Sequence, residues 1–334
     1  MNRSGRRFGI VVAVAVMAWV VTSGMALADC GKVTVGEMNW NSARVIANVE
    51  KFILEVGYGC EVELVPTATV PAMTSMVEKG EPDIASEIWI NSVQESFDNG
   101  VAEGRIVSAG NVLSDGGIEA WWIPEYFAAA HPDIRTVQQV MDNAQLFQDP
   151  EDPSKGRFYN CPSGWACKII NTNLFRAYGL GERFNNFDPG SGEGLAGAIA
   201  KAYERQEPWF GYYWAPTAIL GKYPMVKIEL ADFDSEGHTC NTRENCDAPH
   251  AGQYPPSAVL AVTTKAFADS HPDELAFISN ISIPNDVMNA VLAWGEDNQA
   301  EGNEMAGYFI VKHEALWSSW LPADVAAKVK AALK

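Results

Sequence analysis

The stretch KVTVGEMNWNSARVIANVEKFILEVGYGCEVELV, residues 32–65, decides the fold of this chain. Apolar residues alternate with polar ones over Lys32–Met38, which predicts a strand. Over Ser42–Val56 the apolar residues recur at helical spacing, and Gly57 ends the predicted helix. A second strand is predicted over Glu61–Val65. A strand, a helix and a strand in this order predict parallel strands that are covered by helices.

The same alternation continues along the chain. Further strands are predicted at Asp83–Ile88, Ile118–Ile123, Trp209–Tyr213, Met225–Leu230 and Ser257–Thr263. Further helices are predicted at Val70–Lys79, Asn91–Asn99, Lys168–Tyr178, Gly192–Arg205 and Ala215–Gly221. We expect an α/β protein of two lobes, each a mostly parallel sheet flanked by helices. The strands at 118–123 and 257–263 are predicted to cross between the lobes and form a two-segment hinge.

These crossings divide the chain. Lobe 1 is assigned to residues 29–118 and 257–334, and lobe 2 to residues 119–256 with a loop insertion at 231–256. Residues 1–28 read as a secretory signal peptide, with Arg3, Arg6 and Arg7 before an apolar run and an A-L-A cleavage site at its end. No later apolar stretch reaches the ~20 residues that a membrane span requires. The pattern predicts an exported, soluble protein of the periplasm.

The mature chain is strongly acidic. Removal of the three leader arginines leaves 21 bases against 42 acids, a net charge of −21. Proteins that bind phosphate backbones carry basic patches, so this charge argues against nucleic acid as a partner.

An even number of cysteines in an exported chain predicts three disulfides. The six are Cys30, Cys60, Cys161, Cys167, Cys240 and Cys246. Two pairs, 161/167 and 240/246, each close a five-residue loop. The remaining two precede the first two predicted strands, so they lie side by side if those strands are parallel neighbours. Zinc binding is the alternative, although neither local pair has the usual C-x₂₋₄-C spacing.

Three tryptophans stand where predicted strands end. Trp40 follows the first strand, Trp89 follows the strand at 83–88, and Trp214 follows the strand at 209–213. In an open α/β sheet, ligands bind beyond the carboxyl ends of the strands. Indole faces attract a quaternary ammonium, which cannot donate a hydrogen bond. These positions favour a cage for a methylated amine, and packing between the lobes is the alternative role.

The segment Cys161–Cys167 predicts a small disulfide ring that presents Trp165 and ends where a helix begins. The N–H groups of Ala166 and Cys167 at that helix start are suited to bind an oxygen atom of a ligand. One loop would then offer an aromatic face to a cation and two N–H donors to an oxygen. A purely structural ring is the alternative.

These motifs resemble the periplasmic glycine betaine, proline betaine and choline-binding proteins of ABC transporters. The resemblance rests on the strand that ends at Trp89, the C-x-x-G-W-x-C ring at Cys161–Cys167 and the Y-x-W-x-P motif at Tyr212–Pro216. It implies two α/β lobes that close over the ligand, an aromatic cage, and delivery to an ABC permease in the inner membrane. We also expect a monomer that requires no cofactor.

By motif, the resemblance makes Trp89, Trp165 and Trp214 cage walls, and Trp40 matches an aromatic residue of the choline-binding branch. Two features depart from it. Val93 stands where some betaine binders have a histidine that helps to hold the carboxylate. Glu119 lies two residues before Trp121 in a predicted strand, so both side chains are expected on one face.

If that face borders the cleft, Glu119 brings a negative charge and Trp121 a further ring. The charge favours choline or trimethylamine N-oxide over glycine betaine. A solvated residue of the hinge is the alternative role for Glu119. An exported enzyme acting on methylated amines is the alternative function, which lacks a catalytic constellation in the sequence.

The insertion at 231–256 begins like a calcium loop. Its acidic residues Asp232, Asp234 and Glu236 have the alternating spacing of such a loop, but Arg243 stands at the twelfth position, where an EF-hand has Glu. An irregular structural calcium site, held by the Cys240–Cys246 disulfide, is therefore the prediction for this segment.

Overall fold

The computed structural model describes Met1 and residues 30–334. The predicted signal peptide lies outside this described part, apart from Met1. The strands are β1 Lys32–Met38, β2 Glu61–Thr67, β3 Ile84–Trp89, β4 Ile106–Asn111, β5 Ile118–Pro124, β6 Gly156–Tyr159, β7 Phe184–Phe187, β8 Gly211–Ala215, β9 Met225–Lys227 and β10 Val259–Thr264.

Helices cover the strands. The first eight are α1 Asn41–Ile53, α2 Thr69–Lys79, α3 Gln94–Ala102, α4 Glu125–Ala130, α5 Val137–Asp142, α6 Ala166–Ala177, α7 Gly192–Arg205 and α8 Ala218–Lys222. The others are α9 Ser235–Asn241, α10 Lys265–Ser270, α11 Pro272–Asn280, α12 Asn285–Asn298, α13 Gly302–Lys312, α14 Glu314–Ser318 and α15 Ala323–Ala332. Within residues 30–334, no helix is long and apolar enough to cross a membrane.

The strands form two sheets of five, with the orders β2-β1-β3-β10-β4 and β7-β6-β8-β5-β9. We call the part built on the first sheet lobe 1 and the part built on the second sheet lobe 2. In each sheet one strand, β10 or β5, runs opposite to its neighbours, and the other described strands share one direction. The α/β fold class is confirmed. Strand pairing is mixed in both sheets, because β5 and β10 each follow a crossing between the lobes and enter their sheet from the opposite end.

The two chain crossings lie beside each other. Gly117, just before β5, and Ser257, just before β10, form an antiparallel bridge with N···O distances of 2.8 and 3.1 Å. β10 lies in the first sheet, as predicted for the segment at 257–263. The lobe boundaries at 118/119 and 256/257 remain predictions.

The three predicted disulfides are confirmed. β1 and β2 are parallel with Lys32 opposite Glu61, and the preceding Cys30 and Cys60 are bonded with their Cα atoms 4.5 Å apart. Cys161–Cys167 and Cys240–Cys246 are the other two bonds. The zinc alternative is wrong, because every cysteine sulfur is bonded to another sulfur and none remains as a thiolate.

Some elements were missed by the sequence patterns. The loop insertion contains a helix, α9, and the side chain of its N-cap residue Asp234 accepts a hydrogen bond from Gly237 N. Strands β6 and β7 have four residues each and carry Arg157 and two asparagines, so they show no apolar alternation. Short, partly polar strands are recognised only once their neighbours in the sheet are known.

Candidate functional site

A narrow cavity of about 30 Å³ lies between the lobes, at the ends of β1, β3 and β8. Its lining residues are Trp40, Thr69, Trp89, Ser92, Glu119, Trp165, Ala166, Cys167, Tyr212 and Trp214. Among these described residues none is Lys, Arg or His, and Glu119 is the one with an ionisable carboxyl group. The cavity is therefore aromatic and acidic.

The lobe 1 wall consists of Trp40 and Trp89, and both indoles are fixed from behind. Glu87 on β3 accepts hydrogen bonds at its Oε1 atom from Trp40 Nε1 at 2.7 Å and from Trp89 Nε1 at 3.0 Å. Ser42 Oγ donates to the same oxygen at 3.0 Å. The Trp89 ring also packs on Gly117, where a Cβ atom would lie 2.0 Å from its Cζ3. Only glycine leaves room for the ring there.

The lobe 2 wall consists of Trp165 and Trp214, whose rings meet edge to face at 5.0 Å between centroids. Trp165 also meets Trp40 of lobe 1 at 5.3 Å, with an interplanar angle of 72°. Its Nε1 atom donates to Asn39 Oδ1 at 2.5 Å, again across the lobes. The rings of the two walls are therefore in mutual contact, and the cavity is closed on this side.

The Cys161–Cys167 ring places a helix start at the cavity. Trp165 is the N-cap residue of α6, and Ala166 and Cys167 are its first two helical residues. Both line the cavity. The first N–H groups of a helix have no partner within the helix, and the N-terminus carries partial positive charge. This end of the cavity is suited to an oxygen atom.

Glu119 provides the charge within the cavity wall. It is 6% exposed, accepts a hydrogen bond from Tyr212 Oη at 2.7 Å, and lies 3.5 Å from Ser92 Oγ. Burial raises the pKa of Glu119 to about 7, and the hydroxyl donors oppose this rise. The interpretation of Glu119 as a solvated hinge residue is wrong, because its carboxylate is buried between β5, β8 and the turn after β3.

Trp121 lies outside the cavity, which corrects the expectation for this residue. It is fully buried in the core of lobe 2, where its ring contacts Phe158 at 4.7 Å and Phe210 at 5.8 Å. Its Nε1 atom donates to Asn171 Oδ1 at 2.7 Å. Alternation along a strand predicts that two side chains lie on one face of the sheet, but not that both reach the cavity. Two residues advance the chain about 7 Å, which takes Trp121 away from the cavity and into the core. Val93 is buried at the start of α3 and does not line the cavity either.

The calcium prediction for Asp232, Asp234 and Glu236 is not supported. Asp234 Oδ2 accepts from Gly237 N at 2.9 Å as a helix cap and lies 3.6 Å from His250 Nδ1. Among the residues at 30–334, the three carboxylates do not converge as metal ligands. Asp234 therefore caps the start of α9, and calcium binding by this segment stays a prediction.

Sequence reasoning missed Glu87, which lies behind the lobe 1 wall, and three residues of the cavity lining, namely Thr69, Ser92 and Tyr212. Tyr212 entered the sequence analysis only as the first residue of the Y-x-W-x-P motif. The available signal for Glu87 was an acid inside a predicted strand, I-A-S-E-I-W. In the structure all six residues of this strand are buried. Buried acids are rare without partners, so its indole partners explain its position.

An aromatic cavity lined by residues of two lobes is typical of a binding protein for a small molecule. Residues 31–312 match the OpuAC family, the substrate binding domain of ABC-type glycine betaine transport systems, and the chain belongs to this family. The resemblance indicated by the tryptophan and cysteine motifs is thereby confirmed. A substrate-binding domain is not an enzyme, so the alternative of an exported enzyme is set aside.

A curated relative is the glycine betaine-binding periplasmic protein OusX of Dickeya dadantii (strain 3937), 24% identical over 204 residues. The match covers 58% of this chain and 60% of the length of that relative.

Solved structures share the fold. The glycine betaine, L-proline-binding protein ProX of Borrelia burgdorferi has a TM-score of 0.72 at 14% identity, covering 89% of this chain and 99% of that one. An ABC-transporter choline-binding protein in complex with choline has a TM-score of 0.71 at 15% identity, covering 91% and 99%. At these identities the likeness concerns the fold, and the two-lobed architecture follows from it.

Proposed function

We propose that this protein is the receptor of an ABC importer for a small methylated ammonium compound, which it binds in a tryptophan cage between its lobes. One observation carries the proposal: four indoles from both lobes line one cavity, and Glu119 is the described lining residue with a carboxyl group. An ammonium group with methyl substituents is attracted by indole faces and by a carboxylate, and it needs no hydrogen-bond acceptor.

The parts of the ligand have distinct partners in this proposal. The methyl groups contact Trp40, Trp89, Trp165 and Trp214. The ligand oxygen accepts hydrogen bonds from the N–H groups of Ala166 and Cys167 at the start of α6. Glu119 attracts the cationic end, because the water-poor cavity strengthens the Coulomb interaction.

The strength of the cage is sufficient for a receptor. Four desolvated indoles at ~1–2 kcal/mol each contribute ~4–8 kcal/mol before the cost of lobe closure. A micromolar dissociation constant corresponds to about 8 kcal/mol. The aromatic walls therefore contribute most of the binding free energy, and the contacts to the ligand oxygen contribute the rest.

Choline and trimethylamine N-oxide are favoured over glycine betaine as ligands. Glu119 lines the cavity, and its charge opposes a ligand carboxylate. The names of the relatives that bind glycine betaine or choline support the compound class rather than one member of it.

The remaining parts of the proposal concern location and partners. The signal-peptide pattern at residues 1–28 supports export to the periplasm, where a monomer without a cofactor passes its ligand to an ABC permease in the inner membrane.

Titration of intrinsic tryptophan fluorescence with choline, trimethylamine N-oxide and glycine betaine tests the proposal. Saturable binding is expected for at least one of the first two, in the micromolar range, because ligand methyl groups contact the indoles directly. Isothermal titration calorimetry with leucine is the matched control for nonspecific binding. Absence of saturable binding for all three compounds would refute the proposed function, and tighter binding of glycine betaine would reverse the ligand ranking.

A further inference from the structure

We propose that Glu87 is a positioning and specificity-determining residue. One of its carboxylate oxygens, Oε1, aligns both indoles of the lobe 1 wall, and its charge selects a cationic nitrogen over a neutral group of the same shape. This inference rests on the proposed function, because it assumes that Trp40 and Trp89 face the ligand. Glu87 does not line the cavity and acts through the two indoles.

The positioning role follows from the hydrogen bonds. Trp40 Nε1, Trp89 Nε1 and Ser42 Oγ lie 2.7, 3.0 and 3.0 Å from Glu87 Oε1. Each indole is held by its own hydrogen bond to the shared oxygen, so rotation of either ring costs a hydrogen bond, and loss of the oxygen releases both rings. Hydrogen bonds to an ionised acceptor are stronger than neutral ones, which makes this alignment rigid.

The position of these residues in the sheet explains why one acid reaches both rings. Trp40 follows β1, Trp89 ends β3, and β1 and β3 are paired with Val35 opposite Ile84. The two tryptophans therefore stand at adjacent strand ends, and Glu87 points between them from β3. The lobe 1 wall is complete without any residue of lobe 2.

The charge of Glu87 adds a second effect. Donation of an indole N–H to a carboxylate increases electron density in the ring, and the carboxylate itself attracts a cation on the far side of the ring. Glu87 is fully buried, so water screens this attraction little. Burial raises the pKa of Glu87, whereas its three donors stabilise the ionised form.

Lobe 1 contains a matched control for this role. Glu50 on α1 is also fully buried, and burial raises its pKa to about 8. Its Oε2 atom accepts a hydrogen bond from Ser86 Oγ, on the residue before Glu87 in β3. Successive residues of a strand point to opposite faces, so Glu50 lies behind the sheet and contacts neither tryptophan. Substitution of Glu50 removes a buried acid of the same lobe without touching the cage.

The test compares methylated nitrogen compounds with their carbon isosteres, in which a quaternary carbon replaces the nitrogen. The pairs are choline with 3,3-dimethylbutan-1-ol, trimethylamine N-oxide with tert-butanol, and glycine betaine with 3,3-dimethylbutanoate. Affinities of the wild-type protein, Glu87→Gln and Glu50→Gln are measured by fluorescence and by competition. In Glu87→Gln the preference for nitrogen over carbon is expected to fall about tenfold, and in Glu50→Gln to stay unchanged.

Two further measurements keep the inference open to refutation. Glu87→Asp retains the charge but moves the carboxylate oxygen away from the two indole N–H groups. The nitrogen compound and its carbon isostere should therefore both bind more weakly, while the ratio of their affinities stays unchanged. In the wild-type protein, NMR of the indole N–H groups should show the Trp40 and Trp89 protons shifted downfield together, and both should move when the ligand binds. This NMR measurement applies even if Glu87→Gln fails to fold.

The outcomes separate the inference from the proposed function. An unchanged nitrogen preference in folded Glu87→Gln overturns the specificity role, and indole protons at ordinary positions overturn the positioning role. If the wild-type protein binds none of the nitrogen compounds, the proposed function itself fails.

Discussion

The two walls of the cavity are built in different ways. In lobe 1, Trp40 and Trp89 are held by hydrogen bonds to Glu87, which belongs to the same lobe. In lobe 2, Trp165 is held by a disulfide ring on one side, while its indole N–H reaches Asn39 on lobe 1. We therefore expect the first wall to be preformed and the second to be completed only when the lobes close.

Other contacts support this difference. Val70 N donates to Gly164 O at 3.2 Å, which joins the start of α2 to the disulfide ring across the lobes. Arg243 in the loop insertion pairs with Glu95 on α3 at 2.5 and 2.9 Å. We expect ligand binding and lobe closure to be coupled through these contacts between the lobes.

The largest effect is expected from removal of a ring in either wall. Trp89→Ala, Trp165→Ala and Trp214→Ala should each weaken ligand binding by ~1–3 kcal/mol with the fold intact. Trp294→Ala is the control, since Trp294 stacks on Tyr308 at 4.3 Å, on α12 and α13 and away from the cavity. Calorimetry gives the affinities and circular dichroism the fold. Unchanged affinity in all three folded variants would contradict the cage in both walls.

The next effect concerns charge. Glu119→Gln should weaken choline or trimethylamine N-oxide binding about tenfold and glycine betaine binding less, because it removes Coulomb attraction to the cationic end. Because burial raises the pKa of Glu119 to about 7, the carboxylate gains its charge as pH rises from 6 to 8.

Choline affinity should therefore increase over this pH range. Neighbouring Tyr212 and Tyr254 stay protonated, since burial raises their pKa values well above 10. Titrations at pH 6, 7 and 8 check the slope, which should flatten in Glu119→Gln. If affinity rises more steeply with pH for glycine betaine than for choline, ionisation of Glu119 is not the cause of the pH dependence.

A smaller effect is expected from the disulfide ring of the lobe 2 wall. Replacing both Cys161 and Cys167 by serine should weaken binding several-fold, because Trp165 and the start of α6 lose their anchor. The same replacement of Cys240 and Cys246 is the matched control, since that loop does not line the cavity. Equal losses in the two double variants would show that the ring has no specific role at the site.

The smallest effect tests closure directly. Asn39→Ala removes the acceptor of the Trp165 indole on the opposite lobe and should weaken binding by ~1 kcal/mol, the usual contribution of one hydrogen bond. Asn48→Ala, which removes a hydrogen bond to Glu37 within lobe 1, is the control and should leave affinity unchanged. Small-angle scattering with ligand should show a larger open fraction in Asn39→Ala only. Identical scattering of both variants would argue that the lobe 2 wall is also preformed.

Much of the architecture was predictable from local patterns. Alternation and helical spacing predict β1, α1 and β2 because burial of one face imposes a period on the sequence. The Cys30–Cys60 bond then follows from two parallel strand starts. Tryptophans at strand ends were recognisable for the same reason, since such ends meet at one edge of a sheet.

The sequence by itself therefore determined the strands and helices with a clear apolar period, the disulfide partners and the placement of tryptophans at strand ends, because these depend on neighbours along the chain. It did not reveal β6, β7 or α9. Tertiary structure alone decided that Glu119 reaches the cavity while Trp121, on the same strand, is buried in the lobe 2 core. It also decided that Glu87 joins Trp40 and Trp89 at one oxygen. Depth within a lobe and the partners of a buried charge depend on residues that are distant in sequence, and no local period encodes them.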